Sequence, residues 1–452
     1  MTVATPKSAF EQVQALAGEL LSHDRWSRDE VLAYQRARLQ DILRHAVERS
    51  PYYREALGAD APDRPLDSLP SLPKSVLVEE FDRIVTDKRL RRIDLEAFLE
   101  QADAGAAFLG EYRVFSTSGT SGIPGLFVYT HDELAQWSGV AIAALARVGV
   151  GPETRFVAIG APSALHITRQ QFASMQGARP DVPRLPTLTP MPELVDALNR
   201  YEPEAVLAYA SVVAALADEQ LDGHLAITPR IAICTSEVLT EDAVARIEAA
   251  WGIRPVNAYA ATEAAPMATG STEAVGMHVW ENSVVLEVVD EAGDAVPPGE
   301  PGAKVLLTNL VNRAQPLIRY ELSDSVVLAE GPDPTGRPWL RILRVDGRSD
   351  DTLVLPGLSD GEVTLHPFRL RSPFARMVDV RGYQIVRYRD ALVARVVPRR
   401  DAQPGIEVRV AAAIRETLAA AGADVPVRVE LVPEIEREPG PAAKVKLVRS
   451  EV

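Results

Sequence analysis

The chain has 452 residues, of which 46% are hydrophobic and 25% charged, and its formal net charge at pH 7 is −15. This is the composition of an ordinary globular protein, and the length allows two or three domains. The acidic balance argues against a general nucleic-acid or anionic-membrane binder. The single cysteine, Cys234, excludes an intrachain disulfide and a thiolate-cluster metal site, so we expect a cytoplasmic protein.

The first half of the chain predicts helices, and then strands that alternate with helices. Apolar spacing predicts a helix over residues 8–22, and a capping box of Ser27 and Glu30 predicts the start of a second one. The predicted strands that follow are 155–160, 205–209, 230–234 and 254–259, and the predicted helices are 131–148, 192–200, 212–222 and 241–251. This alternation predicts parallel βαβ units, which bind ligands at the carboxyl ends of their strands.

A run rich in glycine and hydroxyl residues lies between Phe115 and Thr130. Glycines let the backbone approach a ligand closely, and hydroxyl and backbone N–H groups donate to anionic oxygens. The run lacks the Gly-Lys-Ser/Thr ending of the common P-loop. It leads directly into the apolar residues 126–128, which favours a phosphate-binding loop joined to a buried strand over a solvated linker.

Two polar runs adjoin the carboxyl ends of predicted strands. Residues 235–239 read Thr-Ser-Glu-Val-Leu, and residues 257–263 read Asn-Ala-Tyr-Ala-Ala-Thr-Glu. A carboxylate can ligate Mg²⁺, and a hydroxyl can reach a phosphate. Taken alone, Ser236 is typical of a helix N-cap and Thr262-Glu263 of a helix start.

The remainder of the chain changes character near residue 283, where turn residues become frequent. The predicted elements here are strands over 284–289, 304–309, 391–397 and 427–432, and a helix with apolar positions from 406 to 418. The stretch 344–351, rich in glycine and aspartate, predicts an interdomain turn, and a compact α+β unit is expected beyond it.

Together these motifs resemble the adenylate-forming superfamily of acyl- and aryl-CoA ligases, in particular its phenylacetate–CoA ligase-like branch. The most specific similarity runs from Leu307 to Asp324, which resembles the branch's Asn-Leu-x-Asn-Arg-x-x-Pro-Leu-Ile-Arg-Tyr-x-x-x-Asp segment nearly residue for residue. The resemblance implies an α/β fold with a large N-terminal domain, residues 1–347, that combines parallel βαβ sheets with an antiparallel β-subdomain. A small mobile α+β domain, residues 348–452, would carry a catalytic lysine.

The resemblance also implies roles for the residues at matching positions. The glycine-rich loop would hold the ATP phosphates, Glu263 would ligate Mg²⁺ and Asp324 would take the ribose hydroxyls. Lys444, with Lys446 as second choice, would bridge the substrate carboxylate and the α-phosphate, and Asp350 would be the hinge. The implied catalytic residues are Lys444, Thr262 and Glu263; the ATP-binding residues are Ser118, Gly119, Thr120, Ser121, Gly122, Ser236, Glu237, Ala258, Tyr259, Asp324 and Arg348; and the substrate-binding residues are Gly160, His166, Ala260 and Ala261.

The implied activity has two steps. A small acid, aromatic by analogy with the branch, would react with ATP and Mg²⁺ to give an acyl-adenylate, and the acyl group would then pass to coenzyme A. Family members have a glycine-rich run before a proline that helps to position the thiol acceptor, and in this chain the glycines before Pro367 are displaced. An alternative therefore stays open in which an amine or a carrier-protein thiol is the acceptor, as in secondary metabolism. Two positions depart from the family's pattern: Ile123 stands where many members have lysine, and Ala443 stands where glycine is usual. A second alternative is therefore a catalytically inactive homologue that only binds the nucleotide.

Further expectations concern partners. No zinc site is expected, because the chain has one cysteine and seven scattered histidines. No nucleic-acid or membrane partner is expected, since the chain is acidic and no apolar run is long enough to span a bilayer. The branch often dimerises, which leaves a homodimer open.

Overall fold

The computed structural model describes residues 9–103, 105–117, 125–163, 166–167, 170, 182–358, 361–438 and 442–451. Within these residues it is a mixed α/β structure with one large sheet and several smaller antiparallel sheets. The fold class expected from the sequence is confirmed. No helix in the described part of the chain combines the length and the apolar character needed to cross a membrane.

Helices dominate the beginning of the chain and then alternate with strands. The α-helices of the described residues are Ala9–Ser22, Arg28–Arg49, Pro51–Leu57, Lys74–Glu79, Phe81–Ile84, Arg92–Gln101, His131–Arg147, Met191–Tyr201, Ala210–Leu221, Glu241–Trp251, Pro367–Arg371 and Ile406–Ala420. Short 3-10 helices are His23–Arg25, Ala61–Asp63, Leu66–Ser68, Ser349–Asp351 and Ser372–Arg376. The capping box predicted at Ser27 is present, with the Ser27 side chain accepting from the Glu30 N–H.

The strands of the described residues are numbered in chain order. They are β1 Tyr112–Ser116, β2 Leu126–Thr130, β3 Phe156–Gly160, β4 Arg184–Pro186, β5 Ala205–Tyr209, β6 Ile231–Thr235, β7 Val256–Ala261, β8 Ala264–Gly270, β9 Met277–Val279, β10 Val284–Val289, β11 Lys304–Asn309, β12 Tyr320–Leu322, β13 Asp324–Leu328, β14 Arg341–Arg348, β15 Leu353–Pro356, β16 Glu362–Leu365, β17 Val380–Arg387, β18 Leu392–Pro398, β19 Val427–Leu431 and β20 Val448–Ser450.

The central sheet has nine strands among the described residues, in the order β13-β14-β9-β8-β7-β6-β5-β3-β4. Strands β7, β6, β5, β3 and β4 are parallel to one another, as the strand–helix alternation predicts. Strand β8 pairs antiparallel with β7, so Thr262 and Glu263 form the turn between two strands and do not begin a helix. Because the parallel strands end at one edge, the segments after β5, β6 and β7 lie side by side there.

The buried apolar side chains form separate clusters. One contains residues from Leu353 to Val448 only, and packs the helix Ile406–Ala420 against the four-stranded sheet β19-β18-β17-β20. Cys234, on β6, is fully buried in a different cluster with the helices that flank the central sheet. The proposed domain boundary at 347/348 stays a prediction, which the separate C-terminal core supports.

Candidate functional site

A cleft of about 1090 Å³ opens at the carboxyl ends of the parallel strands and continues between the two parts of the chain. Most of the residues assigned from the sequence line it: His166, Ser236, Glu237, Ala258, Tyr259, Ala260, Ala261, Thr262, Glu263, Asp324, Arg348 and Lys444. Gly160, at the end of β3, is not among its lining residues. Tertiary structure thus gathers into one cleft residues that are far apart in the sequence.

The described ends of the glycine-rich run are residues up to Thr117 and from Gly125 onward. Its ends are tied together, because the Thr117 N–H donates to the Gly125 carbonyl at 3.0 Å and the Gly125 N–H donates to the Thr117 hydroxyl at 3.1 Å. Ser116 and Thr117 line the cleft. The predicted phosphate contacts of the loop, Ser118, Gly119, Thr120, Ser121 and Gly122, lie outside the described residues.

Strand β2 and the Thr262 turn are held by polar side chains from the segment with the most specific sequence similarity. Gln315 exchanges hydrogen bonds with the backbone of Leu126 and Val128, at 2.9 and 2.8 Å. The side-chain amide of Asn309 donates to the Glu263 carbonyl at 2.7 Å. This segment therefore acts as a scaffold for strand β2 and the Thr262 turn, and the sequence alone does not reveal that role.

Asp324 is fixed at the cleft by two neighbours. The Tyr259 hydroxyl donates to its Oδ2 at 2.7 Å, and the Arg348 Nε lies 3.7 Å from its Oδ1. Asp324 begins β13 and Arg348 ends β14, and the two are direct partners in the sheet register. This arrangement leaves the carboxylate at the surface of the cleft with its orientation set, which suits a group that accepts hydrogen bonds from a diol.

Glu263 is buried at the bottom of the cleft, with 7% of its surface exposed. Burial raises the pKa of this carboxyl, while the positive charges of Arg348 and Lys74 act against that shift. Lys74, at the start of the helix Lys74–Glu79, lines the cleft and was not among the residues assigned from the sequence. Its position after the proline-rich connector gave no functional signal.

Lys444 is partly buried and faces the same groups. Burial lowers the pKa of the Lys444 ammonium, and Arg348 adds to the effect, whereas Glu237, Asp324 and Glu263 act in the opposite direction. The lysine therefore lines the same cleft as Glu263 and Asp324 and interacts electrostatically with both carboxylates.

The second-choice lysine occupies a different position. The Lys446 Nζ forms an ion pair of 2.5 Å with Asp351, in the 3-10 helix Ser349–Asp351. That short helix follows β14 and contains the predicted hinge residue, Asp350. Lys446 is therefore engaged at the connection between the two parts of the chain.

His166 also lines the cleft. Burial, together with the charge of Lys444, lowers the pKa of its imidazole to about 4. The ring is therefore neutral at physiological pH. It can contact a substrate as a hydrogen-bonding group without bringing a positive charge.

Similarity to known proteins extends over most of the chain. The family model described as AMP-binding enzyme matches residues 113–308. The phenylacetate-coenzyme A ligase of Aromatoleum evansii is 29% identical over 359 residues, which cover 76% of this chain and 76% of that protein. The phenylacetate-coenzyme A ligase of Escherichia coli strain K12 is 28% identical over 355 residues, or 74% of each chain.

Among solved structures, 2-hydroxyisobutyryl-CoA ligase in the postadenylation state, in complex with R3-HIB-AMP, has a TM-score of 0.70 and 21% identity. The match covers 92% of this chain and 88% of that one. This chain and that ligase therefore share a fold. Over about three quarters of its length, the chain is similar to these phenylacetate-coenzyme A ligases.

Proposed function

We propose that this protein uses ATP to convert a small carboxylic acid into an acyl-adenylate, with release of pyrophosphate, and then transfers the acyl group to coenzyme A, with release of AMP. The observation that carries the proposal is the convergence of Glu263, Asp324, Arg348 and Lys444 on one cleft at the strand ends. The relatives named above as phenylacetate-coenzyme A ligases support an acid of aromatic type.

The first step needs positioning and positive charge more than it needs a base. A carboxylic acid is already ionised at neutral pH, so its oxygen can attack the α-phosphorus directly. Lys444 would stabilise the negative charge shared by the substrate carboxylate and the α-phosphate, and Asp324 would hold the ribose. The bond from the α-phosphorus to pyrophosphate breaks as the carboxylate–phosphorus bond forms.

The side chains of the cleft fit a Mg²⁺ ion that takes some of its ligands from the protein and the rest from the phosphates of ATP. Among the described residues, no group of three or more His, Cys, Asp or Glu side chains could hold a metal by itself. Mg²⁺ in nucleotide sites commonly takes one or two carboxylates together with phosphate oxygens and water, and the buried Glu263 carboxylate matches that requirement. When bound, the ion would supply charge neutralisation at the phosphates.

In the second step the residues after the hinge at Asp350 would rotate and present the thiol acceptor. The sulfur would attack the acyl carbon, and AMP would leave with the electrons of the broken carbon–oxygen bond. Transfer to an amine or a carrier-protein thiol remains the alternative for this step. Cytoplasmic location and a homodimer also remain predictions.

The test is acid-dependent exchange of pyrophosphate into ATP across a panel of aryl and short aliphatic acids, followed by addition of coenzyme A. We expect exchange with at least one acid and a loss of about 100-fold or more in Glu263→Gln. The exposed carboxylate Glu434, on the wall of the same cleft, gives the matched control Glu434→Gln, which should retain activity.

Two outcomes would contradict the proposal. Absence of exchange with every acid, despite nucleotide binding by calorimetry, would favour the inactive homologue. Exchange without thioester formation on adding coenzyme A would move the second step to an amine or a carrier protein.

A further inference from the structure

Glu237 joins the end of β6 to the segment that carries Lys444. Its Oε1 accepts a hydrogen bond from the Val445 N–H at 2.7 Å, and its Oε2 accepts one from the Ser211 N–H at 2.9 Å. Only 6% of the side chain is exposed. Both carboxylate oxygens are therefore engaged, and one of them is bonded to the residue that directly follows the lysine.

Two further contacts hold the residues that precede Lys444. The Tyr209 hydroxyl, at the end of β5, donates to the Ala442 carbonyl at 2.9 Å. Arg437 donates to the Ala443 carbonyl at 3.1 Å. The lysine thus lies on a short segment whose backbone is bonded on both sides, and two of the partners come from the ends of adjacent parallel strands.

We infer that Glu237 is a positioning residue for acid activation, which holds Lys444 in the cleft through the Val445 N–H. The inference rests on the proposed function, and it gives a role to a residue that the resemblance assigns to ATP. The peptide unit between Lys444 and Val445 is held on both sides, because its N–H donates to Glu237 and its carbonyl accepts from the Glu438 N–H at 2.8 Å. Of these two bonds, the one to Glu237 joins the lysine segment to the N-terminal part of the chain and thereby holds it against the cleft.

The geometry also separates the two steps of the reaction. In the proposed second step the C-terminal part would rotate about the hinge, which would break the bond from Val445 to Glu237. Glu237 then no longer acts on the lysine. Its removal should slow the formation of the acyl-adenylate and spare the transfer to coenzyme A.

Glu237→Gln is the decisive variant. An amide has one acceptor oxygen, and its NH₂ group would face a backbone N–H, so one of the two bonds is lost at nearly unchanged volume. A hydrogen bond to a charged group that is lost in this way corresponds to about a 10- to 100-fold change. We expect kcat for acyl-adenylate formation to fall by that factor while KM for ATP stays within about two-fold.

Two comparison variants accompany it. Tyr209→Phe removes only the hydroxyl that bonds to Ala442, and it should give a smaller loss in the same step. Glu436→Gln changes an exposed carboxylate on the same wall of the cleft and should behave as wild type. Thioester formation from supplied acyl-adenylate and coenzyme A should stay within about two-fold in Glu237→Gln.

Amide hydrogen exchange gives a readout that does not depend on activity. Glu237→Gln should lose protection at Val445 and its neighbours, while β5 and β6 keep theirs. A raised KM for ATP with unchanged kcat would overturn the inference in favour of an ATP contact. An equal fall in the rates of adenylate formation and thioester formation would also overturn the inference. Unchanged amide hydrogen exchange at Val445 would overturn it as well. If the wild type activates no acid, the proposed function fails. Amide hydrogen exchange at Val445 then decides by itself whether Glu237 holds the segment that carries Lys444.

Discussion

Asp218 is the centre of a buried ion cluster between the N-terminal and C-terminal parts of the chain. It lies on the helix Ala210–Leu221 with 1% of its side chain exposed. Arg246, from the same part of the chain, donates to it at 3.0 Å, and Arg381 and Arg399 reach it from the C-terminal part. We therefore expect Asp218→Asn to weaken the docking of the two parts.

The expected loss of docking free energy depends on which other carboxylates each arginine still contacts in Asp218→Asn. Arg246 keeps Asp242 at 2.9 Å, and Arg381 keeps Glu219, so Arg399 loses the one carboxylate with which it pairs in the described structure. Removing one partner of a buried ion pair costs about 3–5 kcal/mol, and the retained contacts reduce this change to about 2–3 kcal/mol. The ratio of docked to undocked molecules should fall by about 30- to 150-fold.

The assay combines single-turnover formation of the acyl-adenylate with limited proteolysis at the connection near residues 349–351. We expect slower adenylate formation and faster cleavage in Asp218→Asn. Asp222→Asn is the matched control: Asp222 lies 3.7 Å from Arg381 with 27% of its side chain exposed. An exposed pair contributes only about 0.2–1 kcal/mol, so the control should stay close to wild type.

The reciprocal change, Arg399→Gln, should have a similar effect, and the double variant should lose less than the sum of the two single variants. A lower Tm with unchanged adenylate formation and unchanged cleavage would refute the reasoning, because the cluster would then stabilise the fold without controlling docking.

Four further predictions concern the cleft. Lys444→Ala should slow adenylate formation by about 100-fold, and Lys446→Ala should slow it much less in the same assay. A larger loss in Lys446→Ala than in Lys444→Ala would make Lys446 the catalytic lysine. Burial raises the pKa of the Glu263 carboxyl in the folded protein. Above that pKa the buried carboxylate is ionised, which lowers the free energy of unfolding. Below the pKa that the same carboxyl has in the unfolded chain, it is protonated in both states and this cost disappears. Glu263→Gln should therefore raise the Tm of the ligand-free protein near pH 8 by about 2 °C, a gain that should vanish near pH 4. The pKa of His166 is about 4, so His166→Gln should leave the shape of the kcat/KM profile between pH 6 and 9 unchanged; loss of a limb near pH 6.5 would contradict this. Ala443 has a φ of 48°, so Ala443→Gly should stabilise the protein by about 1 kcal/mol in denaturant titrations, and a loss of stability would exclude backbone strain there.

The sequence by itself determined the elements whose signals are local. The alternation of apolar strands with helices predicted the helix Glu241–Trp251 and the strand Ala205–Tyr209 with their observed bounds. The order of motifs carries the resemblance to the adenylate-forming enzymes, and it predicted that the strand-end segments gather at one edge of the sheet. These features depend on short stretches of chain, whose side-chain spacing is visible without any coordinates.

Only the tertiary structure decided the contacts between distant segments. The sequence showed Glu237 as one residue of a strand-end motif, and its bond to Val445 requires the docking of two parts of the chain that are more than 200 positions apart. Lys74 and Asp218 carried no local signal, because an exposed-looking lysine and a helical aspartate are common in any chain. Their burial and partners follow from how separate units pack, and no local pattern encodes that packing.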